Sequence, residues 1–200
     1  MKKIIIVLTA LLIGLQAQAQ LIGKVGYLNA GEKASIANMR DQVSLNGFTV
    51  GADYRIPFKS IYGFGLTPGA HVNFLFGSDE AFRYSDIALS IPVMATYALD
   101  LNNVVRIIGN AGPTLQLGLA KNATTNIGAG KTDIYDYYAK SSTTTFSRAM
   151  LLLGIGAGVE LLDKLQISLG VDIGLTSYFR EGNAYARRPY QFKLGVGYLF

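Results

Sequence analysis

The sequence predicts an all-β fold: a transmembrane, eight-stranded, antiparallel up-and-down β-barrel spanning residues 20–200. Three observations predict it. Half of the residues are apolar, yet only 16% are charged, against about 25% in a typical soluble domain. Beyond the first 19 residues no apolar stretch reaches the ~18 residues needed for a transmembrane helix, so a closed barrel is the main way to satisfy backbone groups in lipid. Segments in which apolar residues alternate with small or polar ones then recur along the chain, which is the period of a two-faced strand.

Residues 1–19 read as a signal peptide. Lys2 and Lys3 form a charged start, Ile4 to Leu15 form an apolar run, and Ala17 and Ala19 offer the small residues of a cleavage site. Cleavage is expected after Ala19. Loss of the two lysines lowers the formal charge from +5 to +3, too mild a surplus to suggest a nucleic-acid partner. The chain holds no cysteine, so disulfides and thiolate metal sites are excluded.

A first strand is predicted near residues 21–29, with Lys24 inward and Val25 and Tyr27 outward. The second sets Phe48, Val50, Ala52, Tyr54 and Ile56 against Thr49, Asp53 and Arg55. The third runs from Tyr62 to Phe74, with His71 and Asn73 on its inner parity. Ile87 to Leu99 and Val105 to Leu117 form the fourth and fifth, the latter with Arg106 inward. Ala149 to Leu161 forms the sixth, with Glu160 inward, and Leu165 to Leu175 the seventh, with Asp172 inward. Tyr190 to Phe200 is the last, with Lys193 inward. In the second to eighth segments no position of the apolar parity is charged. The other parity carries Gly, Ser, Thr and Gln with charges of both signs, which suits a narrow lumen behind a lipid-facing wall.

Predicted connections alternate in length. Residues 57–60, 100–103 and 162–164 form short turns, while 31–46, 75–86, 120–147 and 180–188 form longer loops. Short turns at the periplasmic end and long loops outside are the pattern of a bacterial outer-membrane barrel, with both termini periplasmic. Aromatic residues gather toward both ends, as membrane interfaces favour.

On these residues the chain resembles the eight-stranded outer-membrane β-barrel family, the OmpA-like and PorT-like group. The resemblance covers the whole mature chain. It rests on the final strand, Lys193 to Phe200, and on Ile91-Pro92-Val93 and Gly112-Pro113. It implies that Tyr198 and Phe200 belong to a signal read by the barrel-assembly machinery. The family has no catalytic motif to carry over.

Candidate site residues are the inward polar ones: Asp53, Arg55, His71, Arg106, Glu160, Asp172 and Lys193. Charges in a confined lumen should be paired, and Lys193 with Asp172 or Glu160, and Arg106 with Glu160, are the expected partners. An eight-stranded barrel has an interior that side chains just fill, so a plug is expected rather than a pore. Gly63, Gly65, Gly154, Gly156 and Gly158 are read as mid-strand space-savers on the inner wall, because no helix follows them to make a phosphate loop. One histidine and scattered carboxylates propose no metal site, and no cofactor or catalytic residue is assigned. The loop 120–147 carries Tyr135, Tyr137 and Tyr138 and a Ser/Thr run at 141–145. Contact with a surface ligand and packing over the barrel rim both fit these aromatics. Arg180, Arg187 and Arg188 suit lipopolysaccharide phosphates or bulk water. The leading functional reading is a non-enzymatic surface barrel with a plugged lumen. The alternatives are a narrow porin for water or small ions, and a lipid-modifying enzyme using His71.

Overall fold

A computed structural model describes residues 20–58, 60–78, 82–102, 104–125, 130–139, 147–178 and 187–200, apart from 35–43. The leader, 1–19, lies outside the described residues, as do Arg180 and 141–145. Among those described, eight strands close on themselves: β1 (Gln20–Ala34), β2 (Ser44–Pro57), β3 (Phe64–Ser78), β4 (Phe82–Asp100), β5 (Val105–Thr125), and, after a three-residue β6 (Lys131–Asp133) and a short helix α1 (Ile134–Ala139), β7 (Ala149–Leu161), β8 (Leu165–Gly174) and β9 (Arg187–Leu199). Each barrel strand pairs antiparallel with the next, and β1 pairs with β9 from Ile22 opposite Leu199 to Ala34 opposite Arg187. Closure leaves the barrel wall without an edge strand, the condition for backbone in lipid.

Alternation then sorts the side chains. Val25, Phe48, Val93, Ile155, Leu169 and Leu194 stand exposed on the outside, while Asp53, Arg55, Ser90, Gln116, Glu160, Asp172 and Gln191 are buried inside. Rings meet across strands at both ends of the wall. Phe48 stacks on Phe74 at 4.8 Å toward the loops, and Phe64 lies 4.7 Å from Tyr97 toward the turns.

Three tight connections lie at one end. Residues 58–63 close with Phe58 N–H donating to the Phe64 carbonyl at 2.8 Å. Gly63 sits there at φ +77°. It is therefore a turn residue that needs the left-handed region, not the mid-strand spacer expected. Asn102 Oδ1 accepts from the N–H groups of Val104 and Val105, both at 2.8 Å, and caps the second turn. Leu162 and Asp163 form the third, at φ 56° and 54°. These are the two left-handed positions of a type I′ hairpin. The chain ends meet at this same end, where Phe200 N–H donates to the Leu21 carbonyl at 2.9 Å.

The opposite end corrects the expected loops. The connection expected at 75–86 is mostly strand, since β3 runs to Ser78 and β4 begins at Phe82. The strand expected to stop at Leu117 continues to Thr125. A bulge hides the continuation: Ala88 faces Gly118 but Ile87 faces Ala120, leaving Leu119 as the extra residue. The alternation breaks there, and Lys121 is turned to face Asp86. The loop expected over 120–147 is in part this strand end, β6 and α1.

Candidate functional site

The lumen is built in layers by strand alternation. Nearest the turns, Glu160 of β7 lies between two guanidinium groups. Arg55 Nη2 from β2 approaches Glu160 Oε1 at 2.5 Å, and Arg106 Nη1 from β5 donates to Glu160 Oε2 at 3.2 Å. Arg106 also contacts Asp100 and lies 3.3 Å from Asp163 Oδ1. Glu160 is 1% exposed, so its charge depends on these partners.

Halfway along the wall, Asp53 takes two partners. Lys24 Nζ lies 2.6 Å from Asp53 Oδ2, and His71 Nε2 lies 2.7 Å from Asp53 Oδ1. Lys193 Nζ donates to Asp172 Oδ2 at 2.5 Å. Gly154 makes room for that carboxylate, since a Cβ there would sit 2.6 Å from Asp172 Oδ1. The Thr67 and Thr96 hydroxyls meet at 2.8 Å. Above this level Gln191 donates to Gln116 at 2.6 Å, and Asn73 donates to the Ser90 hydroxyl at 2.8 Å.

Toward the loops the filling turns apolar. Leu28, Ala30, Leu45 and Leu75 pack together with Tyr84 against them, and Met150, Leu152 and Tyr178 form a second cluster. The inner face is thus not uniformly polar, as its composition had suggested. At the rim Lys121 Nζ lies 3.5 Å from Asp86 Oδ2 and 4.5 Å from the Tyr178 ring centre. Tyr135 of α1 is buried there, with Arg148 over its ring at 4.5 Å. Burial, with the Asp86 charge second, pushes the Tyr135 phenol up to about 12.

All seven inward residues named from the sequence therefore line or fill the lumen, but as separate groups: Asp53 with His71, Asp172 with Lys193, and Arg55 with Glu160 and Arg106. Lys24 and the Asp86–Lys121 pair were not among them. Lys24 was legible as inward. Lys121 was not, because the bulge at Leu119 reverses its parity. Among the described residues, no group of three His, Cys, Asp or Glu side chains could hold a metal ion.

A closed eight-stranded barrel with an apolar belt outside and paired charges inside is the setting for the comparison with known families. The sequence matches the outer membrane protein beta-barrel domain over residues 5–200. The chain belongs to that family. As a member of it, the protein is a bacterial outer-membrane barrel, and its exposed Val, Leu and Ile belt is its lipid surface. Neisserial surface protein A shares the fold at TM-score 0.51 and 15% identity, over 92% of this chain and 99% of that one. The Yersinia pestis attachment invasion locus protein Ail is similar at TM-score 0.47 and 14% identity, over 92% and 99%. The outer membrane enzyme PagL is similar at TM-score 0.49 and 9% identity, over 89% and 97%. Identities this low speak to the fold alone. No curated protein sequence is significantly similar to this barrel.

Proposed function

We propose that this outer-membrane barrel is non-enzymatic, has a plugged lumen, and acts structurally or through surface contacts made at its loop end. The observation that carries the reading is the stack of filled layers. The Arg55–Glu160–Arg106 group lies toward the turns, the Gln191–Gln116 bond crosses the middle, and two apolar clusters lie toward the loops. An ion would have to break each in turn. In this reading the turn end and both termini face the periplasm, and Tyr198 and Phe200, in ring contact at 5.0 Å, contribute to recognition by the barrel-assembly machinery.

Surface contact falls to the loop end. Tyr135 packs back over the rim, whereas Tyr137 on the same helix is 62% exposed and suits a sugar or protein ligand. Arg148 and Arg188 are exposed at the same end and suit lipopolysaccharide phosphates. An enzymatic use of His71 has less support. Its ring points into the lumen at Asp53, and the Ser90 hydroxyl opposite already accepts from Asn73. Neither group is reached by an acyl chain from the outer face of the wall.

Planar-bilayer recording tests the plug. The refolded chain is expected to give no steady conductance at neutral pH. A stable open channel would favour the porin reading.

A further inference from the structure

We infer that the central chamber of the lumen is a binding site for one small monovalent anion, held by Arg55. The inference goes beyond the surface role and does not depend on it. Arg55 is 7% exposed. One of its nitrogens, Nη2, is spent on Glu160. Its Nε and Nη1 have no hydrogen-bond partner among the described residues. Buried donors left without acceptors are costly, and a guanidinium cannot shed its proton to escape that cost.

The same side chain lines a chamber of about 120 Å³. Lys24, Arg55 and Lys193 face that chamber as cations, with His71 beside them, while Asp53 and Asp172 are the carboxylates lining it. Both carboxylates are already engaged, Asp53 by Lys24 and His71 and Asp172 by Lys193. Glu160 is outside the lining and is divided between Arg55 and Arg106. Asp100 and Asp163 compensate Arg106 from the turn side, where both are exposed to water. The positive charge facing the chamber therefore exceeds the negative by one. In a confined, weakly screened site such a surplus favours an anion over water as the acceptor for Arg55. The volume admits a halide, nitrate or formate with a few waters and excludes a sugar or nucleotide.

Two measurements test this. The full chain, refolded in zwitterionic detergent, is unfolded by heat at constant ionic strength in sodium bromide or in sodium gluconate, whose anion is too large for the chamber. Bromide is expected to raise the midpoint saturably, by a few degrees. Arg55→Gln is expected to abolish the difference, and Arg188→Gln, on the exposed surface, to retain it. Crystals grown in bromide should show anomalous density within hydrogen-bond distance of Arg55 Nε or Nη1. This second measurement uses the unmodified chain and so decides the matter even where Arg55→Gln fails to fold. A midpoint indifferent to bromide, or water alone at the Arg55 nitrogens, would overturn the site. A conducting lumen would refute the plug without touching this result, because the bromide position is read directly.

Discussion

Gln191 reaches across the lumen and donates from Nε2 to Gln116 Oε1 at 2.6 Å. The two side chains stand on β9 and β5, which share no ladder and are separated by β8 and β7. The bond therefore braces the barrel through its interior. Gln191 is 1% exposed and Gln116 5%, so neither has bulk water to fall back on. Gln116→Leu strands the Gln191 amide and is expected to cost about 1–3 kcal/mol, whereas Gln116→Leu with Gln191→Leu should recover much of the loss. Urea unfolding in lipid vesicles, with both variants compared to the parent, measures this.

Lys193→Met leaves Asp172 charged, 3% exposed and without its 2.5 Å partner. Breaking a buried pair costs about 3–5 kcal/mol, and the partial exposure of Lys193, 28% at its side chain, reduces this to roughly 2–3 kcal/mol. Adding Asp172→Leu should make the barrel more stable than the single variant. A double variant no better than Lys193→Met would mean that the two charges are not coupled.

On the outer wall, Leu169 is 56% exposed near the middle of β8. Its neighbours across the ladders are Ala157 and Leu194, so it sits within the apolar belt. Leu169→Arg should cost about 2–4 kcal/mol in a bilayer. Tyr137→Arg, on the loop-end helix α1, should cost little. Equal effects of the two in a vesicle-folding titration would contradict the assigned wall face.

The turn at Leu162–Asp163 holds two non-glycine residues at positive φ. Leucine there is strained and is 66% exposed, with little packing in return. Replacing the pair by Asn-Gly matches the hairpin's needs and is expected to stabilise the barrel by about 1 kcal/mol. A decrease in the urea midpoint would show that Leu162 makes an unrecognised contact, for instance with lipid.

Tyr135 gives a pH signature at the rim. Its folded value is raised from the ordinary 10.0 to about 12, first by burial and then by the Asp86 charge. The folded state thus favours the protonated phenol. The stability linked to this group is complete below pH 10 and is lost as pH rises from 10 toward 12. Ultraviolet titration should show one phenolate appearing near pH 12 in the folded protein, and Tyr135→Phe should delete that step. Its persistence in the variant would place the buried phenol elsewhere.

The sequence by itself determined the wall. Lipid demands an apolar group at every second position, so parity, strand count and the inward set from Asp53 to Lys193 were readable from local alternation. The pairing of Lys193 with Asp172 was readable too, because β9 and β8 are neighbours in a meander and their inner residues face each other. Where alternation broke, so did the reading. The bulge at Leu119 inverted the parity of Lys121 and hid the Asp86 contact and the strand to Thr125. Gly63 passed for a strand spacer because its positive φ leaves no trace in period-2 spacing. The contacts through the lumen were decided by tertiary structure alone. Arg55 meets Glu160, and Gln116 meets Gln191, only because closure of the sheet brings the opposite walls β2 and β7, and β5 and β9, within side-chain reach. That distance depends on strand number and stagger taken over the whole barrel, and no single segment of the chain contains it.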